Sequence, residues 1–165
     1  MKKYFRLIAL MFILNLTASS QVLALGQETT AASPIIKAIQ HSGFTTPEAA
    51  FENYCEVSES GQMIGYSHSG WIGNGWAKAL PYILQLKPKT LAKIKLAILS
   101  ASQGVISSGP RVCDRGTTDI SARVDSESVP YVVVQAIDCE TTQLNEHRAA
   151  QTLRSFVEKQ CKIKY

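Results

Sequence analysis

The sequence of 165 residues predicts an α+β domain that is mostly helical, with a C-terminal β-hairpin, a final helix and two disulfides. Three observations support this prediction. Apolar residues recur at helical spacing along the chain as far as Gly104. Two short runs rich in β-branched residues follow, on either side of residue 126. Four cysteines lie downstream of the N-terminal apolar run.

The N-terminus has the three parts of a secretory signal peptide. A basic head is followed by an almost wholly apolar run over 7–16 and then by a short cleavage pattern. The basic residues are Lys2, Lys3 and Arg6, and the cleavage pattern is Val22-Leu23-Ala24. The apolar run is too short to span a bilayer as a resident helix. We therefore predict cleavage after Ala24, with cleavage after Ser20 as the second choice.

The predicted organisation is a signal peptide over 1–24, a flexible leader over 25–32 and a single globular domain over 33–165. Removing 24 residues from 165 leaves 141, which is enough for one domain with a real core. Removal of three basic residues lowers their number from 17 to 14, against 13 acidic residues, so the mature net charge is +1. That charge argues against a nucleic-acid binder. The predicted location is the periplasm or the exterior.

Charge is unevenly distributed along the mature chain. The segment 61–113 has no acidic residue, and its basic residues are Lys78, Lys87, Lys89, Lys93, Lys95 and Arg111. Such a block can face an anionic partner, such as phospholipid headgroups, an acidic protein or a wall polymer. The alternative, which we favour, is pairing within the fold with acidic residues that share one face of a predicted helix. These are Glu48, Glu52, Glu56 and Glu59.

The four cysteines predict two disulfides, because an even number in an exported chain is typical of an oxidising compartment. Sequence alone allows three pairings. Cys113 enters and Cys139 leaves the open end of the predicted hairpin, so we predict that they pair. The remaining pair, Cys55 and Cys161, would join the apolar faces of the second and last helices. Metal binding is disfavoured because there is no C-x-x-C and no close Cys/His spacing.

Residues typical of helix starts recur in the first half of the domain. Ser33-Pro34 predicts a short helix that ends at Gly43, and Thr46-Pro47 predicts a second helix that carries Cys55. Asn74 can cap a third helix, over 75–86, which Pro81 should kink. A strongly helical pattern over 88–104 predicts a central buried helix. Its apolar face is Leu91, Ile94, Ile98 and Ala101, widened by Leu96 and Leu99.

The composition then changes towards strand. Residues 117–125 alternate between apolar and polar, and residues 130–138 are rich in β-branched side chains, so together they predict a β-hairpin. Because a lone hairpin is unstable, it should lie against helices. Thr142 can cap a final helix that extends to about Lys159. The apolar side of this helix is Ala150, Leu153, Val157 and Cys161.

The stretch 61–82 is the candidate functional surface. It contains five of the ten glycines, both tryptophans and one of three histidines. Glycine beside tryptophan can form a contoured face for a partner. The alternative is a tight turn with buried aromatics, in which glycines let one helix pack close to another. The candidate partner-binding residues are Tyr66, His68, Trp71, Asn74, Trp76 and Arg111.

The sequence contains no G-x-S-x-G, no phosphate-binding loop and no histidine cluster, so we assign no catalytic residue, metal or cofactor. We expect a small periplasmic protein-binding module of the inhibitor, immunity or envelope-assembly type. Its partner would be another exported or envelope protein, with no nucleic acid and no transmembrane span. The alternative is a cell-envelope hydrolase that acts on wall material with His68 as acid or base. An exposed aromatic patch would favour the binder, and convergent polar groups in a cleft would favour the enzyme.

One short motif lies at the end of the basic block. Ser108-Gly109-Pro110-Arg111 resembles the Ser-Gly-x-Arg loop that some periplasmic lysozyme inhibitors insert into an enzyme cleft. Those inhibitors are all-β barrels, whereas the patterns in this chain predict a largely helical fold. We assign no family from four residues.

Overall fold

A computed structural model describes residues 33–43, 45–72, 75–76, 81–114 and 116–163. The predicted signal peptide and the predicted leader therefore lie outside the described residues. The strands are β1 Ile36–His41, β2 Phe51–Val57, β3 Gln62–Ser69, β4 Trp71–Ile72, β5 Gly75–Trp76, β6 Tyr82–Gln85, β7 Ile106–Arg111, β8 Thr117–Ala122, β9 Tyr131–Ala136 and β10 Thr141–Asn145. The α-helices are α1 Pro88–Ala101 and α2 Arg148–Cys161, and Pro47–Ala49 forms one 3-10 turn.

Eight of these strands form one antiparallel sheet in the order β6-β3-β2-β1-β8-β9-β10-β7, and β4 pairs with β5 alone. Helices α1 and α2 pack together on one face of the sheet, and the core lies between. The prediction of a mostly helical domain is therefore wrong, because the described residues form mainly an antiparallel sheet with two helices. No helix among the described residues is both long and apolar enough to cross a membrane.

The first two predicted helices are strands. Ala38 in β1 lies opposite Cys55 of β2 on one side and opposite Ile120 of β8 on the other. All three side chains are buried, so β1 is a central strand with one face on the core. The capping signal at Thr46-Pro47 yields only the 3-10 turn before β2 begins. Tertiary structure overrides the local helix signals here, because strand pairing with distant segments satisfies the same backbone N–H and C=O groups and buries more apolar area.

Helix α1 confirms the prediction over 88–104, with Ile94, Ile98 and Ala101 buried. Leu96 and Leu99 do not widen the buried face, because they are 67% and 53% exposed. The helix lies on the sheet with one face to solvent, so it is not a central helix surrounded by protein. The predicted helix over 75–86 is also wrong, since β5 and β6 lie within it.

The C-terminal hairpin is confirmed. Strands β8 and β9 pair antiparallel, with a register shift between Ile120 and Ser121. The final helix begins at Arg148 and not at Thr142, because residues 141–145 form β10 between β9 and β7. His147 caps this helix by accepting a hydrogen bond from the Ala149 amide at 3.1 Å.

Both predicted disulfides are present. Cys113 and Cys139 join the segments that flank the hairpin, with their Cα atoms 4.2 Å apart. Cys55 and Cys161, whose Cα atoms are 5.6 Å apart, join β2 to the last residue of α2. The second pairing therefore ties a strand to a helix and not, as predicted, two helices.

Glycines in the stretch 61–82 lie in strands and turns and not in a helix, although a Cβ on Gly61 would come within 2.8 Å of the Leu91 side chain of α1. Gly65 lies directly opposite Tyr82 of β6, and a Cβ on it would come within 2.3 Å of the Tyr82 hydroxyl oxygen. Gly61 and Gly70 have φ angles of 85° and 78°, which suit the turns at the two ends of β3. These glycines shape an edge of the sheet, so the predicted close approach of helices is wrong for this stretch.

Candidate functional site on the open face of the sheet

The sheet has a second face, which neither α1 nor α2 covers. We call it the open face. In β2, Cys55 and Val57 are fully buried towards the helices, so the alternating side chains of Glu52, Tyr54 and Glu56 project to the open face. The pairing register then assigns further residues to that face. These are Lys37, Ile39 and His41 of β1, Tyr66 and His68 of β3, and Asp119 and Ser121 of β8.

Two rows of side chains cross neighbouring strands on this face. Glu52 lies between His41 of β1 and His68 of β3. In the next row, Tyr54 lies between Ile39 and Tyr66. Directly opposed side chains in an antiparallel pair are about 5 Å apart at Cβ, so each row is a set of contacting groups. Residues far apart in sequence thus meet because of the register.

Glu52 is the polar centre of this arrangement. Its carboxylate accepts a hydrogen bond from the Tyr66 hydroxyl at 2.8 Å and lies 3.2 Å from Nδ1 of His41. The Glu52 side chain is only 17% exposed, whereas that of His41 is 44% exposed. Contacts with two groups hold the carboxylate in one position. The surface around it is therefore ordered before any partner arrives.

Three aromatic rings stand beside this carboxylate. Tyr54 and Tyr66 stack with centroids 5.0 Å apart and an interplanar angle of 11°. His68 meets Tyr66 edge-on at 4.7 Å. The Tyr54 hydroxyl donates a hydrogen bond to Glu56, as the Tyr66 hydroxyl does to Glu52. Both phenol O–H groups therefore donate within the fold, and the ring surfaces are the available contact area. We call Tyr54, Tyr66 and His68, together with His41, Glu52 and Glu56, the aromatic array.

The tyrosines of the array are held in the neutral form. Partial burial, and next the hydrogen bond to Glu52, raises the pKa of Tyr66 from 10.0 to about 12. Burial and then the hydrogen bond to Glu56 raise the pKa of Tyr54 as well. In both cases a phenolate would lose its hydration and lie beside a carboxylate. Both phenols therefore remain hydrogen-bond donors throughout the physiological range.

This shift predicts a loss of stability at alkaline pH. A group whose pKa is raised in the folded state contributes stability that is complete below its unfolded value and is lost as pH rises through its folded value. For Tyr66 this window lies between pH 10 and about 12. We expect the denaturant concentration at the unfolding midpoint to decrease as pH rises through this window. The decrease should be smaller for Tyr66→Phe, which has no hydroxyl proton to lose. An identical decline in the two proteins would contradict the assignment.

A cleft of about 470 Å³ adjoins the array on the open face. It carries charges of both signs, with Lys37 and Arg123 opposing Glu56 and Asp119. Burial raises the pKa of Asp119, and the nearby Lys37 partly offsets this. The full lining is Pro34, Lys37, Ile39, Tyr54, Glu56, Asp119, Ser121, Ala122, Arg123 and Pro130. The lining therefore combines charges of both signs with apolar side chains.

The structure places only part of the predicted site in this region. Tyr66 and His68 lie together in the array. Arg111 is exposed at the end of β7, six strand positions from β3 and so roughly 29 Å away. Arg111 therefore does not belong to the same surface patch. Ser108 to Arg111 lie in this edge strand and not in a protruding loop, which departs from the lysozyme-inhibitor motif.

The tryptophans belong to a separate two-stranded ribbon. Trp71 of β4 pairs with Trp76 of β5 through the backbone, next to the end of β3. The structure describes the backbone of these two residues but not their side chains. Asn74 lies outside the described residues. The role of Trp71, Asn74 and Trp76 in partner binding stays a prediction.

Sequence reasoning missed most of the array. His41, Glu52, Tyr54 and Glu56 come from two segments predicted as helices, and helical spacing would place Tyr54 away from the face that Glu52 and Glu56 share. The signal that identifies them is alternation with a period of two, in Glu52-x-Tyr54-x-Glu56 and in Tyr66-x-His68. Such alternation is typical of a strand that has one face on the core.

Comparison of the chain with protein-family models and with curated protein sequences finds no match to either. The functional argument therefore depends on the geometry of the open face and on the chemistry of its side chains.

Proposed function

We propose that this chain is a small exported protein-binding module whose contact surface is the open face of the sheet. The observation that carries the proposal is the stacked pair Tyr54 and Tyr66, held in place by two carboxylates and covered by neither helix. Rigid tyrosines supply large contact area at low entropic cost, and they are enriched among residues that dominate binding energy.

The surroundings of this pair favour a protein partner. The adjoining cleft offers two cations and two carboxylates within reach of apolar surface, which resembles the polar rim of a protein interface. We infer that the partner is another exported or envelope protein, bound as an inhibitor or immunity protein binds its target or as part of an envelope assembly. The disulfides Cys55–Cys161 and Cys113–Cys139 are typical of an oxidising compartment, which supports the predicted export.

Site-specific crosslinking in the periplasm tests the surface. A photo-reactive phenylalanine at Tyr66 should capture the partner, whereas the same group at Ser100, on the solvent side of α1, should not. Tyr66→Ala should then weaken binding of the captured protein by on the order of 2 kcal/mol, because it removes one member of the stack. Tyr66→Phe keeps the ring and should retain most of the affinity.

Two outcomes would count against this surface. Equal capture from Tyr66 and Ser100 would show that the open face is not preferred. A Tyr66→Ala protein that keeps its unfolding midpoint and binds with unchanged affinity would show that the stacked pair is not part of the interface. Measuring the midpoint of each variant separates loss of binding from loss of fold.

One observation favours a hydrolase as the second candidate. His41 and Glu52 are 3.2 Å apart, and His68 lies opposite Glu52, so an acid–base pair is available on the open face. Purified protein incubated with isolated cell-wall material should then release soluble fragments, and His41→Ala and His68→Ala should each abolish the release. Unchanged release by both variants would exclude these histidines.

A further inference from the structure

The opposite side of the domain carries a groove between its two helices. Its volume is about 780 Å³. Residues of α1 and α2, together with Lys87 just before α1, line it, and none of the lining residues is acidic. Its cations are Lys87, Lys89, Lys93, Arg148 and Lys159, and all five side chains are exposed.

The expected internal partners of these lysines are elsewhere. Glu52 and Glu56 project to the open face, on the other side of the sheet. Among the described residues, the one ion pair between a lysine and a carboxylate joins Lys95 to Glu59 at 3.9 Å, and Lys95 does not line the groove. The prediction that the lysines pair with acidic residues within the fold is therefore wrong for the lysines of the groove. Its positive potential is directed at solvent.

Apolar side chains adjoin these cations on the outer surface of α1. Lys89, Lys93 and Leu96 follow at spacings of four and three, so they form one stripe along the helix. Leu99 lies three residues beyond Leu96. The two leucines are 67% and 53% exposed. Cations beside exposed leucines on one helix face are the arrangement of a helix that binds at a membrane interface.

We propose that the α1–α2 face docks the protein on an anionic phospholipid bilayer, with the groove cations on the headgroups and the two leucines at the acyl boundary. The charge of the groove is complementary to phosphate headgroups, and juxtamembrane lysines are attracted to such surfaces. A protein partner fits less well, because lysine is depleted at protein interfaces while the groove has four lysines and Phe156 as its one aromatic residue.

Docking on this face leaves the open face directed away from the bilayer. The two surfaces lie on opposite sides of the sheet, so a lipid-bound molecule retains access to a protein partner. The lipid contact is independent of the proposed function, since it uses neither the aromatic array nor the cleft. Failure of one proposal therefore does not entail failure of the other.

Vesicle co-sedimentation of the processed, disulfide-bonded protein tests the proposal. The protein should sediment with vesicles of phosphatidylglycerol and phosphatidylcholine in equal amounts, and not with phosphatidylcholine alone. Added salt should release it. Lys89→Ser with Lys93→Ser should weaken partitioning roughly 30-fold, because each lysine near an anionic surface contributes about 1 kcal/mol. Leu96→Ser with Leu99→Ser should weaken it without changing the salt dependence.

Matched controls separate local from general effects. Gln62→Glu with Val129→Glu lowers net charge by the same two units at exposed positions that do not line the groove. Val129→Ser removes an apolar group that is more exposed than either leucine, since Val129 is 87% exposed. Both controls should partition nearly as the unmodified protein does. The proposal is overturned if the protein does not sediment with the vesicles, or if substitution of the lysine pair or of the leucine pair leaves sedimentation unchanged. Groove-dependent binding to an acidic protein, without binding to vesicles, also overturns it.

Discussion

Replacing Cys55 and Cys161 together by alanine should lower the free energy of unfolding by about 5 kcal/mol. The two cysteines are separated by 106 residues, and closing so long a loop removes much of the entropy of the unfolded chain. Both side chains are buried, so the variant also loses core contacts. A loss of this size is a large fraction of the stability of an ordinary domain.

The second disulfide provides the matched comparison. Cys113 and Cys139 are only 26 residues apart, and Cys113 is exposed, so their joint replacement should cost about 3.5 kcal/mol on the same model. Urea unfolding of both double variants measures the difference directly. A larger loss for the 113–139 variant would contradict the loop-entropy account and would show that strain or local packing decides the effect.

The long disulfide also connects the two proposed surfaces. Cys55 lies between Tyr54 and Glu56 in β2, while Cys161 ends α2, which lines the basic groove. One covalent link therefore fixes the strand of the aromatic array to a helix of the face that we propose docks on lipid. We expect the Cys55 and Cys161 double variant to lose order on both faces, whereas the Cys113 and Cys139 variant should leave both nearly intact.

Features that depend on nearby residues could be predicted from the sequence. Helix α1 follows Pro88 and has strong apolar spacing, and the hairpin of β8 and β9 is formed by neighbouring segments. The pairing of Cys113 with Cys139 followed from that hairpin. In each case the contacts that stabilise the element lie within a short stretch of chain, so local patterns contain the information.

Features that depend on distant pairing could not be predicted. Strand β1 is held by β8, which begins about eighty residues later, and no local pattern indicates that partner. Ile36 and Ile39 fit helical spacing, while burial in the structure follows Ile36 and Ala38. Ser33-Pro34 and Thr46-Pro47, which precede the two segments, resemble helix caps but are equally compatible with the start of a strand. Sheet pairing, which is a tertiary effect, determines that these segments form strands and not helices.

The candidate site shows the same division. Tyr66 and His68 were identified because they lie in a glycine-rich and aromatic-rich stretch. Their partners Glu52 and His41 were not identified, because only the sheet register brings the three strands together. The exposed leucines of α1 were predicted to be buried, because they widen the apolar face of the helical pattern. Their exposure is the observation that most directly suggests a second contact surface.

Replacing Asn145 by alanine should destabilise the fold by about 3 kcal/mol. Its side chain is 1% exposed, and its amide donates to the carbonyls of Ala101 at 2.9 Å and Val132 at 3.4 Å while its oxygen accepts from the His147 amide at 3.0 Å. These bonds join the end of α1, strand β9 and the start of α2. The truncation leaves three backbone groups without that partner, and the loss is most costly at the buried contact with Ala101.

Two variants separate lost hydrogen bonds from lost volume at Asn145. Asn145→Asp keeps the shape but cannot donate when ionised, so it should be at least as destabilising at neutral pH and should recover partly in acid. Gln143→Ala, on the same strand but only partly buried, should change stability by at most about 0.5 kcal/mol. Thermal unfolding of the three proteins gives the comparison. If Asn145→Asp is as stable as the unmodified protein at neutral pH, donation to Ala101 and Val132 is not what holds the two helices to the sheet.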